Sequence, residues 1–251
     1  MRNIKQALQE HKEKILEHYA EDQLLGVFVY GSQNYNIATE NSDVDTKAIL
    51  IPNIHDLVLG KPVSRELHLD NGEHCEVKDI REMIKMFAKQ NINFIEILFT
   101  KYYLINPKYK DIWETYFIKN RELIAYMDMR QTLNSVCGQT IHTLKQKPEN
   151  YKHFANGLRL YYFLKYYLLE LPYENCINAH YDAHSDIIMD YKKGLIKPTQ
   201  DDVDFLIRKI KWMQEFAEDC PKEPNKEAVN ILQNGALALI TNCKNDIDFY
   251  K

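Results

Sequence analysis

The chain reads as an α+β protein, with a mixed sheet and helices in its N-terminal half and only helices in its C-terminal half. Two observations predict this. Between residues 24 and 99 the sequence has short apolar runs rich in β-formers, separated by turn dipeptides and helical segments. From about Pro107 to the end, almost every window shows the 3.6-residue apolar period of an amphipathic helix. The composition shift places a boundary between an α/β domain, 1–106, and a helical domain, 107–251. A chain of 251 residues has the length for that division and for a core without staples.

The elements follow in order. Ile4, Ala7, Leu8, His11, Ile15, Leu16 and Tyr19 give residues 3–20 a helical apolar face. LLGVFVY (24–30) is a buried strand running into Gly31-Ser32, and VDTKAILI (44–51) is a second strand, stopped by Pro52-Asn53. RELHL (65–69) and EHCEV (73–77) flank Asn71-Gly72, a strong hairpin signal because both residues tolerate the left-handed backbone of a tight turn. Asp79 caps a helix running to Lys89, followed by the dense apolar segment NFIEILF (93–99). The helical half contains 116–147, stopped by Pro148, and 152–171, stopped by Pro172. A helix capped by Thr199 and a last helix over about 225–243 complete it. The 17 tyrosines, many of them in 151–171, are expected to pack the halves together rather than to stack on bases.

Composition excludes several classes. Hydrophobic residues make up 45% and charged residues 27%, enough apolar surface to offset the entropy of ordering, so disorder is excluded. A net charge of −4 excludes a uniformly basic nucleic-acid binder, although Lys85, Lys89, Lys101, Lys108 and Lys110 could form a local patch. No apolar run is long enough for a membrane span, and the first twenty residues lack a signal-peptide core, so no membrane partner is expected. Five scattered cysteines with no CxxC read as reduced thiols of a cytoplasmic protein and argue against a zinc site. There is no P-loop and no GxSxG elbow.

Chemistry concentrates in two short stretches. Tyr30-Gly31-Ser32 follows a strand, where glycine admits a close ligand and backbone N–H groups with the Ser32 hydroxyl suit phosphate oxygens. Eleven residues beyond Ser32 comes Ser42-Asp43-Val44-Asp45, at the head of the next strand. Residues i and i+2 of a strand share a face, so Asp43 and Asp45 converge. Two like charges held together call for a cation between them. Hard oxygens beside a phosphate select Mg²⁺ or Mn²⁺.

The succession of strand, Gly-Ser, short helix, Ser-Asp-x-Asp and strand resembles the signature of the nucleotidyltransferase superfamily related to DNA polymerase β. The segment GEHCEVKDIREMIKMFAKQNINFIEILFTKYYLINP, with its block Asn91-Ile92-Asn93-Phe94-Ile95-Glu96, is similar to predicted nucleotidyltransferases of the bacterial RNA-repair and phage-associated type. The chain departs from that pattern at Ile92, where many members have proline, and at Asn156, where the family's Lys-x-x-x-His-x-x-Arg has histidine. The resemblance implies a polymerase-β-like domain that transfers a nucleoside monophosphate from an NTP to an acceptor hydroxyl, releasing pyrophosphate. It implies that Gly31 and Ser32 orient the triphosphate, and that Lys152 and Arg159 contact phosphates or substrate. It also implies a third carboxylate joining Asp43 and Asp45 around two metal ions. Of the candidates, Glu73 sits near the turn and is expected to be solvated, and Asp79 is expected to cap a helix. Glu76, on an apolar strand, needs a metal or a base as partner and is therefore the expected third ligand. The acceptor is left open among RNA, DNA, a protein hydroxyl and a small molecule. The alternatives from other classes are a catalytically silent nucleotide-binding module and an interaction protein of the toxin–antitoxin type.

Overall fold

Helix α1 (Ile4–Leu16) starts where the Asn3 side chain accepts from the Gln6 N–H, and it lays Ala7, Leu8, His11 and Ile15 on the first face of a sheet. The sheet is built from β1 (Leu24–Val29), β2 (Thr46–Leu50), β3 (Ser64–His68), β4 (His74–Asp79) and β5 (Tyr103–Ile105), in the order β3-β4-β2-β1-β5. Only β2 and β4 run parallel, so the sheet is mixed and the protein is α+β, as the sequence predicts. The β3–β4 hairpin closes through Gly72 at φ +87°. Short helix α2 (Ile54–Val58) lies between β2 and β3. Asp79 accepts from the N–H groups of Arg81 and Glu82 to cap α3 (Ile80–Ala88), and α4 (Ile92–Ile95) follows. The computed structural model describes residues 2–146, 149–179, 181 and 184–244, with residues 243 and 244 described without their side chains. Pro148 and the Cys243 side chain lie outside the described residues.

Beyond β5 the described residues form helices and no strand. In order these are α5 (Lys110–Ile112), α6 (Arg121–Ala125), α7 (Met129–Gln146), α8 (Tyr151–Leu168), α9 (Tyr173–Ile177), α10 (Ser185–Lys192), α11 (Gln200–Glu215) and α12 (Lys226–Lys244). The long helix expected over 116–147 is broken into three. Residues Trp113–Ile118 wind as a π-helix, and Asp128 accepts from the Gln131 N–H at 2.8 Å at the start of α7. The π segment sits against α12, where a Cβ on Gly235 would come within 2.8 Å of Tyr116 Cβ and 2.9 Å of the Phe117 ring. The Thr199 cap closes as a reciprocal box with Asp202.

Strand alternation sorts the core into two bodies. Val27, Val29, Ala48, Leu50, Cys75 and Val77 face α1. Phe28, Ile49 and Ile51 face the other way and join Met83, Trp113, Phe117, Leu133, Phe163, Tyr167, Ile210 and Leu239 in one continuous core. That core crosses residue 106, so sheet and helices are packed into each other rather than linked end to end. Tyrosines contribute as packing groups: Tyr126 stacks on Tyr167 at 4.4 Å, and Tyr173 meets Phe99 across the two halves at 4.7 Å. Cys75, Cys137, Cys176 and Cys220 are free thiols. Among the described residues no helix is long and apolar enough to cross a membrane.

Candidate active site

β1 delivers the chain to Tyr30, and the backbone then turns at Gly31 with φ +80°, a conformation that strains any L side chain. A Cβ at Gly31 would meet no protein atom within 4 Å, so the space over the turn is open to a ligand. Gly31–Gln33 forms one 3-10 turn. Its underside is held by Glu96, which has no solvent exposure and accepts from the Gly31 N–H (3.0 Å), Asn34 Nδ2 (3.0 Å) and the Tyr35 hydroxyl (2.6 Å). Burial pushes the Glu96 carboxyl above its usual range, against the pull of those donors. The Gly31 N–H is thus already engaged, which narrows the turn's offer to a phosphate. The half-buried Ser32 hydroxyl has no side-chain partner among the described residues.

Asp43 and Asp45 precede β2 rather than lie within it, but the Tyr30 N–H donates to the Asp45 carbonyl at 3.2 Å and holds the segment in line with the sheet. Asp43 is exposed. The Asp45 side chain is about three-quarters covered, and its Oδ1 is buried without a hydrogen-bond donor in line, although His74 Nδ1 lies 2.7 Å away. Burial raises the Asp45 carboxyl; Asp43 adds to the rise and His74 opposes it. The Tyr30 hydroxyl is hydrogen-bonded to His74 Nε2 at 2.8 Å.

The parallel register pairs Lys47 with Glu76, one step along β2 and β4 from Asp45 and His74. Glu76 shares the sheet face of Asp45, but its partners are bases: one carboxylate oxygen pairs with Lys47 and the other lies 3.3 Å from Lys78 Nζ. Burial would raise the Glu76 carboxyl, yet the two lysines hold it below its usual range. Lys47 is itself buried, with its ammonium 3.9 Å from the Tyr30 ring centre and 4.3 Å from that of Phe94. The place beside Asp45 is therefore filled by His74. Beyond it opens a cleft of about 380 Å³ lined by Tyr30, Glu66, His74, Glu76 and Lys78. Among the described residues no three His, Cys, Asp or Glu side chains converge as a metal cluster.

Glu73 overturns the expectation of a solvated acid. It is 4% exposed, on the α1 face, contacting Arg2 Nε at 3.2 Å and His11 Nε2 at 3.3 Å and accepting from the Val44 N–H at 3.2 Å and Asn71 Nδ2 at 2.8 Å.

The helical half brings cations to the Asp43 side. Arg159 is 4% exposed, its guanidinium 3.7 Å from the Tyr35 ring centre; Nε and Nη2 donate to Asn156 Oδ1, and Nη1 is buried without a partner. Lys192 on α10 donates to the Ile37 carbonyl at 2.6 Å. Burial lowers the Lys192 ammonium, Asp43 opposes that shift, and Lys152 and Arg159 add to it. Lys152 is exposed. The surface lysines considered as a nucleic-acid patch are largely engaged: Lys85 with Glu82, Lys101 with Glu174, Lys110 with Glu114, and Lys108 over the Tyr109 ring.

Sequence reasoning assigned no role to Glu96, His74 or Lys192. Glu96 carried a signal, a lone acid inside NFIEILF, since a buried carboxylate needs several donors. His74 could have been placed by parity, two residues from Glu76 on the same strand. Lys192 carried none, because its partner is a backbone carbonyl 155 positions away. No protein-family model and no curated protein matches the chain.

Proposed function

We propose that the protein is a nucleotidyltransferase of polymerase-β-like fold that moves a nucleoside monophosphate from an NTP to an acceptor hydroxyl, with release of pyrophosphate. One observation carries this reading: near an open Gly31–Ser32 turn, Asp43 lies within electrostatic reach of Asp45 and also of Lys192, which in turn feels Lys152 and Arg159. An acid pair alone would repel a triphosphate and cations alone would only bind it; together they suit a polyanion that arrives with a divalent ion.

The residues fit such an ion in part. Asp45 Oδ1 is a buried hard oxygen with His74 Nδ1 at 2.7 Å, and Asp43, two residues away, is near enough to raise the Asp45 carboxyl. Asp43 and Asp45 would hold Mg²⁺ or Mn²⁺, which supplies positive charge to the triphosphate and to the leaving pyrophosphate. Glu76 does not fit as third ligand, because both its oxygens are taken by lysines, and it is left out of this reading. Ser32 donates its hydroxyl to a phosphate oxygen. Arg159 offers its unpartnered Nη1, with its plane fixed by Tyr35 and Asn156. Lys192 and Lys152 neutralise the tail. Such fixed donors aimed at developing charge supply a large part of catalysis in polar sites. The acceptor enters over the cleft beside His74 and Tyr30.

A second reading, nucleotide binding without turnover, is favoured by the engagement of Glu76 with lysines, which leaves only Asp43 and Asp45 as candidate ligands where two-metal catalysis uses more. Incubation with each α-labelled NTP, Mg²⁺ or Mn²⁺, and RNA, DNA or cell lysate tests both. Transfer of label, lost in Asp43→Ala and Asp45→Ala while the far-ultraviolet circular dichroism spectrum is unchanged, supports the enzyme. Saturable NTP binding with no transferred label supports the binding module. Undiminished labelling by both variants removes these aspartates from the mechanism.

A further inference from the structure

We propose that Glu96 is the positioning residue of the nucleotide site, holding the Gly31–Ser32 turn from beneath and, through Tyr35, seating Arg159. The inference rests on the nucleotidyl-transfer reading and adds to it how the turn and the cation are kept in register.

A carboxylate with no solvent exposure is costly unless donors surround it. All three donors to Glu96 come from one five-residue stretch: the Gly31 N–H, Asn34 Nδ2 and the Tyr35 hydroxyl. None of them is a compensating cation within ion-pair distance, so this acid serves the shape of the turn rather than charge balance. Asn34 is fixed further, donating to the Val29 carbonyl at 2.9 Å and accepting from the Thr100 hydroxyl at 2.7 Å. Tyr35 has two roles. Its hydroxyl ends on Glu96, and its ring face carries the Arg159 guanidinium. A line of contact therefore runs from carboxylate to phenol to guanidinium, and the last group has a buried nitrogen with no partner. The Tyr35 carbonyl also accepts from the Ala179 N–H at 3.1 Å, which ties the same residue to the segment leading into α10. The turn and Arg159 come from opposite halves of the chain, and Glu96 is the group both depend on.

The test uses the full chain and measures affinity for each of the four NTPs with Mg²⁺, and for tripolyphosphate, well below each variant's melting transition. Tyr35→Phe keeps the ring under Arg159 and removes only the hydroxyl. It should weaken binding about tenfold, the usual size of a lost hydrogen bond to a charged group. Glu96→Gln disturbs both arms and should cost more. Should it fail to fold, Tyr35→Phe carries the test alone. The readout that a merely structural role would not move is a double-mutant cycle with Arg159→Lys, which keeps the charge but not the stacked plane. If Glu96 acts through Tyr35 on Arg159, Tyr35→Phe should add less than a twofold loss in the Arg159→Lys background. Equal losses in both backgrounds, or wild-type affinity in Tyr35→Phe, overturn the proposal while leaving the nucleotide reading standing. Absence of any NTP or tripolyphosphate binding by the wild-type chain overturns the nucleotide reading, and this one with it.

Discussion

Glu73 and Glu76 are three residues apart in the same hairpin and end on opposite faces of the sheet. Glu73 turns toward α1, where Arg2, His11, Asn71 and the Val44 N–H surround it. Glu76 turns to the other face, between Lys47 and Lys78 and at the edge of an open cleft. On the α1 face both Glu73 oxygens have found donors, as a buried polar network requires. On the cleft face a buried Asp45 oxygen has only His74 beside it, and two glutamates, Glu66 and Glu76, stand directly opposite each other in the β3–β4 register. Like charges in that position destabilise a sheet. The closed face serves the fold, and the open face keeps the unbalanced charges that the proposed nucleotide reading uses.

The largest effect should come from the open face. Asp45→Asn keeps the shape and removes the charge, so labelling should fall by about 10²–10³-fold while the melting temperature changes little, as expected when a preorganised electrostatic group is lost. A parallel fall in stability would mean that the two faces do not divide the work in this way. The next effect belongs to the closed face. Glu73→Ala strips the acceptor from buried His11, the Val44 N–H and Arg2 and should cost about 3 kcal/mol in urea unfolding, in line with buried donors left unpaired. A loss below about 1 kcal/mol would place Glu73 among the weak surface pairs.

Acid titration sharpens the contrast. Burial lowers the His11 imidazole below its ordinary value of 6.5. Burial works to raise Glu73, but hydrogen bonds from Asn71, Arg2 and His11 overcome it and hold the carboxyl below 4.5. Both groups have depressed values in the folded protein, so each contributes stability that is present above its unfolded value and lost as pH falls. The melting temperature should begin to fall below about pH 6.5 and fall more steeply below about pH 4.5. Glu73→Gln removes the second limb and keeps the first. An unchanged lower limb in that variant would assign acid sensitivity to other carboxylates.

What the sequence disclosed and what it hid divide along physical lines. The hairpin was legible because Asn71-Gly72 admits the positive φ that the turn uses. The caps at Asp79 and Thr199 were legible because short polar side chains satisfy the first helical N–H groups. Gly31, Ser32, Asp43 and Asp45 were read as a conjunction, and the bond from the Tyr30 N–H to the Asp45 carbonyl joins the two segments beside the sheet. The fate of Glu73 was written in parity: residues 73, 75 and 77 share a face, and Cys75 and Val77 are apolar. Reading Glu73 by its closeness to the turn missed this. The breaks within 116–147 were not legible, since periodicity cannot separate an α-turn from a π-turn, and the π segment sits where Gly235 lets α12 approach closely. Arg159 was visible as a charge on a helix, but its burial depends on Tyr35, brought to it from the other half of the chain.

The smallest predicted effect bears on the one committed acid of the cleft face. If Glu76 is there to neutralise Lys47, then Glu76→Gln leaves a buried ammonium with only two aromatic faces for company, and stability should fall by about 1–2 kcal/mol. The double variant Glu76→Gln with Lys47→Met removes both charges and fits an unbranched apolar chain between Tyr30 and Phe94. It should recover most of that loss, because replacing a buried pair is cheaper than breaking it. Nucleotide affinity should follow stability only weakly in this series, since neither residue touches the Gly31 turn or Arg159. If instead the double variant is stable but its labelling falls as far as that of Asp45→Asn, then Glu76 leaves its lysines in the working enzyme and joins the aspartates. The division between a satisfied face and an open one would then have to include Glu76 on the catalytic side.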